Sequence, residues 1–375
     1  MFFSRNNRSI LAKWWWTVDK PLLSAVILLI VLGVFLSFSA SPAVAVRIGY
    51  GAYHFVVYHI VYAISSLAII LVVSSFNLRW IRRMAVVLYL VAVILTIWAL
   101  FAGVENKGAS RWIRIFGLSL QPTEFLKPLF AVFTAWLLDG YLRTKEKGLL
   151  VLLALSATLT LLLVFFQPDV GMTVVLAFVL CGQLFLAGLP MKFVVGLGGA
   201  VATFAVFAYL TYSHVRYRVS QMFASKGELG YQIKNSLKAF QNGGIFGKGP
   251  GEGVVRSRIP DAHTDFVFAV AGEEYGLFFC LFIVTLLGFI VIRALLATMK
   301  EKNMFLILSL AGLVCIFGIQ GIVNMCSTIH LGPTKGMTLP FISYGGSSLW
   351  GSALGMGMIL AITRKNVAAE DEDER

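Results

Sequence analysis

The sequence predicts an all-α polytopic membrane protein with about ten transmembrane helices, on three grounds: its composition, the spacing of its apolar runs and the clustering of its polar breaks. Of 375 residues, 58% are hydrophobic and 13% charged, whereas about a quarter of a soluble domain is charged. That composition cannot clad a water-soluble surface. A hydrocarbon core of about 30 Å asks for about 20 apolar residues per helix. Such runs recur near 21–46, 55–76, 84–102, 123–141, 149–166, 170–188, 192–213, 266–292, 303–326 and 347–363. They are predicted as helices because hydrocarbon offers the backbone no partner outside helices and closed barrels.

The first run follows Arg5, Arg8, Lys13 and Lys20, and its end, Ser41-Pro-Ala-Val-Ala45, resembles a signal-peptidase site. A cleaved signal has an apolar stretch of about 7 to 15 residues. Run 21–46 is longer and reads as a retained first helix. An even helix count puts both termini on one side. That side takes somewhat more than half of the 31 basic residues, among them Arg79, Arg82, Arg83, Arg143, Lys145, Lys147, Lys192, Arg293, Lys300 and Lys302. Short basic loops mark the cytoplasm. The chain therefore divides into a cytoplasmic N-terminal tail (1–20), a transmembrane domain (21–363) whose large outer loop 214–265 joins helices 7 and 8, and an acidic cytoplasmic tail (364–375).

The net charge of +13 fits positive-inside topology and attraction to anionic lipid. Nucleic acid is excluded as a partner, because the cytoplasmic loops are too short to form a binding domain. Cys181, Cys280, Cys315 and Cys326 fall in or beside apolar runs and read as small core residues, neither a disulfide framework nor a metal site.

The informative polar residues gather in five outer segments. In the first, Ser110-Arg111-Trp-Ile-Arg114 precedes Gln121-Pro-Thr-Glu-Phe-Leu-Lys127. Pro122 and Thr123 suit a helix start, and Glu124 and Lys127 share a face one turn inside. An intramembrane ion pair is costly and tends to mark function; a purely structural pair is the alternative. The second, Gln167-Pro-Asp169, places a carboxylate at the same level, either as the N-cap of the next helix or as part of a site. The third is basic: Arg216, Arg218, Lys226, Lys234, Lys238 and Lys248. It suits phosphate or pyrophosphate, or adheres nonspecifically to anionic lipid. Within it, Gly230–Phe240 reads as an amphipathic interfacial helix with Ile233, Leu237 and Phe240 on one face. The glycine-rich stretch 241–253 lacks P-loop spacing and reads as backbone able to approach a ligand or a neighbouring helix closely.

The fourth segment brings Asp261, His263 and Asp265 to the mouth of an apolar helix, with Glu273 and Glu274 about two turns inside. Asp265 could cap that helix. A carboxylate at the edge of low dielectric is also a suitable general base. The fifth, His330 to Ser348, holds Pro340, Gly345 and Gly346, which interrupt the helix, and Ser343, Ser347 and Ser348. Irregular backbone at membrane depth is tolerated where protein or a cavity covers it, so this segment is expected to line a substrate groove.

In this order the five segments resemble the SEDS family of bacterial cell-wall polymerases, the shape, elongation, division and sporulation proteins FtsW, RodA and SpoVE. The most specific stretches are Pro260-Asp-Ala-His-Thr-Asp-Phe-Val-Phe-Ala269 and Leu339-Pro-Phe-Ile-Ser-Tyr-Gly-Gly-Ser-Ser348, together with Gln167-Pro-Asp169 and Gly243-Gly-Ile-Phe-Gly-Lys-Gly249. The match runs from Ser37 to Gly355 and leans toward the division branch. Thr123 stands where the family usually has Ser, keeping the hydroxyl.

The resemblance implies a peptidoglycan glycosyltransferase of the bacterial cytoplasmic (inner) membrane, at the division septum, that polymerises lipid II, a disaccharide-pentapeptide on undecaprenyl pyrophosphate. A RodA-like elongation polymerase and a lipid II flippase are the alternatives. Asp265 matches the family's catalytic aspartate. Arg111, Lys127, Arg216 and Arg218 are the cationic candidates for the substrate's pyrophosphate, and Glu124, Asp169, His263, Ser343 and Ser347 complete the substrate-binding set. A divalent cation would help at the pyrophosphate, but no ligand cluster in the sequence is distinctive enough to assign one. The implied partners are a class B penicillin-binding protein transpeptidase of the FtsI type and other divisome proteins.

Overall fold

The computed structural model describes residues 10–106, 109–115, 117–222, 230–332 and 336–364. The tail residues 1–9 and 365–375, including Arg5, Arg8 and most of the acidic terminus, and also Lys226, lie outside the described residues.

Helices form at all ten apolar runs, with shifted ends. After a short α1 (Ile10–Thr17) come α2 (Lys20–Ala40), α3 (Pro42–Arg47), α4 (His54–Ser74) and α5 (Leu78–Ala102). Next are α6 (Pro122–Thr144), α7 (Lys147–Phe166), α8 (Val170–Leu186), α9 (Met191–Thr211) and α10 (Ser213–Met222). Then follow α11 (Tyr231–Gly243), α12 (Val267–Thr298), α13 (Met304–Thr328) and α14 (Gly346–Ile362). Among the described residues, eight of these are long and apolar enough to cross a membrane, and α8 and α14, at 17 residues each, are shorter apolar helices.

Four expectations are corrected. The run 21–46 is not one helix: α2 ends at Ala40, and Pro42, which has no N–H to donate, opens α3. The basic triplet Arg79, Arg82 and Arg83 lies inside the first turns of α5, capped by the Asn77 side chain accepting from Trp80 N, not in a loop before it. The chain is not purely helical either. The interval 103–121 carries an antiparallel sheet of β1 (Val104–Asn106), β2 (Ala109–Ile115) and β3 (Leu118–Leu120), with Ile113 opposite Leu120. Helix α11 is no free interfacial helix, since Ile233, Asn235, Ser236 and Ala239 are buried against its neighbours.

Helix α6 is the hub, buried over most of its length among α5, α7, α8, α13 and α14. Helices in hydrocarbon associate through close packing where small residues let backbones approach, and α14 supplies them. A Cβ on Gly351 would stand 2.5 Å from Glu124 O, and one on Gly357 would stand 2.7 Å from Val73 Cβ. Only 6% of the apolar window of α9 is buried, so that helix flanks the bundle on α8 and α10.

Helix α12 breaks at Gly276, whose φ of 78° is the left-handed region. The break leaves orphan backbone groups, and the glycine-rich stretch satisfies them. Lys248 N and Gly249 N donate to Glu273 O and Glu274 O (3.0 and 2.9 Å), and Leu277 N donates to Gly244 O at 3.0 Å. A Cβ on Gly276 would stand 2.4 Å from Gly247 N. The glycines therefore serve a neighbouring helix.

The segments 41–53, 103–121, 167–169, 212–266 and 329–345 meet at one end of the bundle, where Arg111 reaches Gln167 O and Gln121 N donates to Ser347. Hydrogen bonds tie that end together: Arg47 to the carbonyls of Ser257, Ile259 and Pro260, and Tyr344 N to His263 O. Ion pairs Arg293 with Asp19 and Arg143 with Asp139 stand at the other end.

Candidate active site

The site builds from two buried groups on α6. Glu124 and Lys127 are 8% and 3% exposed, one turn apart, with Lys127 Nζ 2.8 Å from Glu124 Oε2. Helix α6 starts at Pro122 as expected, with Gln121 as its N-cap residue, and the Thr123 hydroxyl accepts from Gln121 Nε2. An ammonium in a dry interior must spend its donors, and Lys127 spends another on Gln320 Oε1 at 2.7 Å. Gln320 Nε2 then donates to both Thr338 O and Thr338 Oγ1 at 3.1 Å, and the hydroxyls of Thr338 and Ser348 bond to each other. A cavity of about 20 Å³, lined by Glu124, Lys127, Gln320 and Ser352 among others, is large enough for about one water.

One helical turn beyond Gln320, Asn324 donates from Nδ2 to Asp265 O at 2.9 Å and also to Met337 O. A polar seam therefore runs from Glu124 through one face of α13 to the segment 336–338 and Asp265. Asp265 ends a turn in which Asp261 O accepts from the amides of Thr264, Asp265 and Phe266. Its carboxylate is half-buried, beside Gly336. Phe266, not Asp265, is the N-cap residue of α12, and no side chain caps that helix. A carboxylate at that position, at the meeting of apolar helices and the polar end, can take a proton from an approaching hydroxyl.

Arg111 on β2 forks across the α7–α8 turn: Nε donates to Gln167 O at 2.8 Å, another nitrogen to Pro168 O at 2.6 Å, and a third lies 3.4 Å from Asp169 Oδ2. Asp169 also caps α8, accepting from Met172 N. The N-cap reading of Asp169 therefore holds, and the same carboxylate also meets Arg111.

Other candidates are occupied by the fold. Arg216 donates to the carbonyls of Leu210 and Tyr209 at the end of α9. The side chain of Arg218 lies outside the described residues. His263 stacks on Phe55 (centroids 4.7 Å apart) and meets Tyr344 at 5.2 Å, and burial pushes its pKa down to about 4. Ser343 accepts from Leu339 N, and Ser347 accepts from Gln121 N, so both hydroxyls brace backbone instead of lining an open groove. Glu273 and Glu274 do not belong to the chemistry at the helix mouth. Glu273 accepts from Asn242, Val255 N and Arg256 N, and Glu274 lies 2.9 Å from an Arg256 nitrogen, so both hold the glycine-rich loop. Among the described residues, no three His, Cys, Asp or Glu side chains gather as a metal site.

Sequence reading missed Gln320, Asn324 and Thr338. The signal was present: two carboxamides four residues apart in an otherwise apolar run share a helical face.

A multi-helix bundle with broken helices, one polar end and a buried ion pair linked toward a half-buried aspartate defines a class of multi-pass membrane protein whose polar segments gather at one end. The chain belongs to the cell cycle protein family of FtsW, RodA and SpoVE, whose family model matches residues 20–368. It is 40% identical over 369 residues to a probable peptidoglycan glycosyltransferase FtsW of Caulobacter vibrioides, covering 98% of this chain and 94% of that one. A protein of the same name from Trichlorobacter lovleyi is 35% identical, covering 92% and 93%. Among solved structures, a chain of a peptidoglycan synthase complex that coordinates polymerization and crosslinking superposes with a TM-score of 0.75 at 25% identity, over 92% of this chain and 97% of the other. The rod shape determining protein RodA of Thermus thermophilus gives 0.67 at 25% identity, over 93% and 97%.

Proposed function

We propose that this chain is a peptidoglycan glycosyltransferase that polymerises lipid II at the outer face of the bacterial cytoplasmic membrane, serving septal wall synthesis, with Asp265 as general base. The observation that carries the assignment of the base is the half-buried Asp265 carboxylate at the polar end, held beside Gly336 and tied through Asn324 to the seam that reaches Lys127. The names of the relatives support the reaction class.

The acceptor sugar hydroxyl attacks the donor's anomeric carbon, its proton passes to Asp265, and the bond to undecaprenyl pyrophosphate breaks as the glycosidic bond forms. Charge growing on the pyrophosphate requires cations, and Arg111 and Lys127 are the proposed candidates.

Both termini are assigned to the cytoplasm, because Arg143, Lys145, Lys147, Lys192, Lys300 and Lys302 flank short connections at the end opposite Asp265. A class B penicillin-binding protein transpeptidase is the proposed partner, in line with the synthase complex among the structural neighbours. The test is polymerisation of lipid II by the purified chain with that partner. Asp265→Asn should abolish glycan while the protein melts as before; normal polymer from that variant would remove Asp265 from the role.

A further inference from the structure

We infer that Asn324 is a positioning residue for the reaction, setting where the Asp265 carboxylate stands by pinning two separate strands of backbone with one carboxamide. This rests on Asp265 being the base.

Asn324 is fully buried on α13, and its Nδ2 donates to Asp265 O and Met337 O. Both partners are carbonyl oxygens, so the amide nitrogen must face them, and the orientation of the side chain is fixed by chemistry. The two carbonyls belong to segments with no regular structure, the turn leading into α12 and the stretch before Leu339. Asp265 lies on the first, and Gly336, the residue against which its carboxylate rests, immediately precedes Met337 on the second. One side chain therefore fixes both walls of the place the carboxylate occupies. Helix α13 is the rigid member: Asn324 O accepts from Ser327, and Gln320, one turn back, holds Thr338 in the same way. The Oδ1 of Asn324 is buried with no protein partner. A residue kept only for packing would not be expected to leave a carbonyl oxygen uncompensated, whereas a device for gripping two carbonyls must carry that oxygen with it.

Asn324→Leu keeps the approximate size, removes both donors and adds no titratable group. With lipid II as probe and the full chain in nanodiscs, kcat should fall about 100-fold, the cost typical of a displacement of about 1 Å at a reacting group. KM should stay within about twofold, and the acid limb of the kcat/KM profile should shift, because the carboxylate has moved. Asn324→Gln, which retains the donor, should recover part of kcat. Ser236→Ala, which removes another buried hydrogen bond to α13, serves as the structural comparison and should leave the pH profile in place. If Asn324→Leu does not fold, Asn324→Gln carries the test through the same pH limb. Unchanged kcat and pH profile in a folded Asn324 variant overturn the inference, as does a loss matched by Ser236→Ala. Normal polymer from Asp265→Asn in a parallel arm strikes the base assignment instead, so the two failures are separable.

Discussion

The carboxylate of Asp265 occupies the space a side chain on Gly336 would need: a Cβ there would stand 3.0 Å from Oδ2, and Gly336 holds a φ of 67°. Two penalties therefore meet in Gly336→Ala. Left-handed backbone costs an L-residue about 1–2 kcal/mol, and the methyl must push the carboxylate aside. Melting should fall modestly while lipid II polymerisation falls at least about tenfold, the larger effect coming from displacement of the proposed base. Measuring both on one preparation separates them, and a variant that loses stability but keeps its turnover rate would detach Gly336 from the site.

Lys127 and Glu124 are a buried pair, and removing one partner leaves a charge without compensation. Glu124→Gln or Lys127→Met should each destabilise by about 3–5 kcal/mol, with the double replacement costing less than the sum. Denaturation in detergent across the four proteins reads the coupling. Gln320→Ala should weaken the same pair, since it takes away the acceptor of Lys127. An additive double replacement would show that the two groups do not stabilise one another.

Arg111 grips the α7–α8 turn with three nitrogens, a planar fork that Lys cannot reproduce. Arg111→Lys should therefore behave almost like Arg111→Ala. Hydrogen exchange should rise at residues 170–173, the first turn of α8, because Asp169 loses its partner and its cap on Met172 N loosens. Full protection there in Arg111→Lys would mean that charge alone suffices.

The fold was legible where length and apolarity decide it, and less legible where a contact does. Ten runs of apolar residues announced helices, because hydrocarbon admits little else. The break at Gly276 was hidden, since it depends on Lys248, Gly249 and Gly244 arriving from another segment to take up the freed backbone groups. The short sheet at 104–120 was hidden for a like reason: β1 and β3, the outer strands, have three residues each, too few to show a periodicity. At the site, Asp265, Glu124 and Lys127 stood out as ionisable groups beside apolar runs. Ser343, Ser347 and His263 stood out equally, yet the fold uses them to satisfy backbone or fill an aromatic cluster. Sequence shows that a polar group is present; only packing shows whether its bonds are already taken.

Glu273 is fully buried and accepts three hydrogen bonds, two from the backbone amides of Val255 and Arg256. Glu273→Ala leaves those donors unsatisfied at about 1–3 kcal/mol each. The loop 243–258 should become the first site of protease cleavage, detectable by mass spectrometry of limited digests. Cleavage elsewhere first would place the weak point outside this loop.

His263 supplies a pH test with a definite sign. Its folded value of about 4 lies below the ordinary 6.5 because burial penalises the charged ring, an effect that Asp261 opposes and Arg47 reinforces. On acidification the unfolded chain therefore binds the proton first. The contribution to stability is complete above about 6.5 and is lost progressively down to about 4, with a total of roughly 3 kcal/mol at about 1.4 kcal/mol per unit. His263→Phe keeps a ring between Phe55 and Tyr344 and cannot be protonated. Its melting temperature should fall less between pH 6.5 and pH 4 than that of the unaltered chain, and the two curves should run closest to parallel above neutrality, where neither ring carries charge. Parallel curves through the acidic range would mean that the ring meets the proton in a solvated place, contrary to its burial.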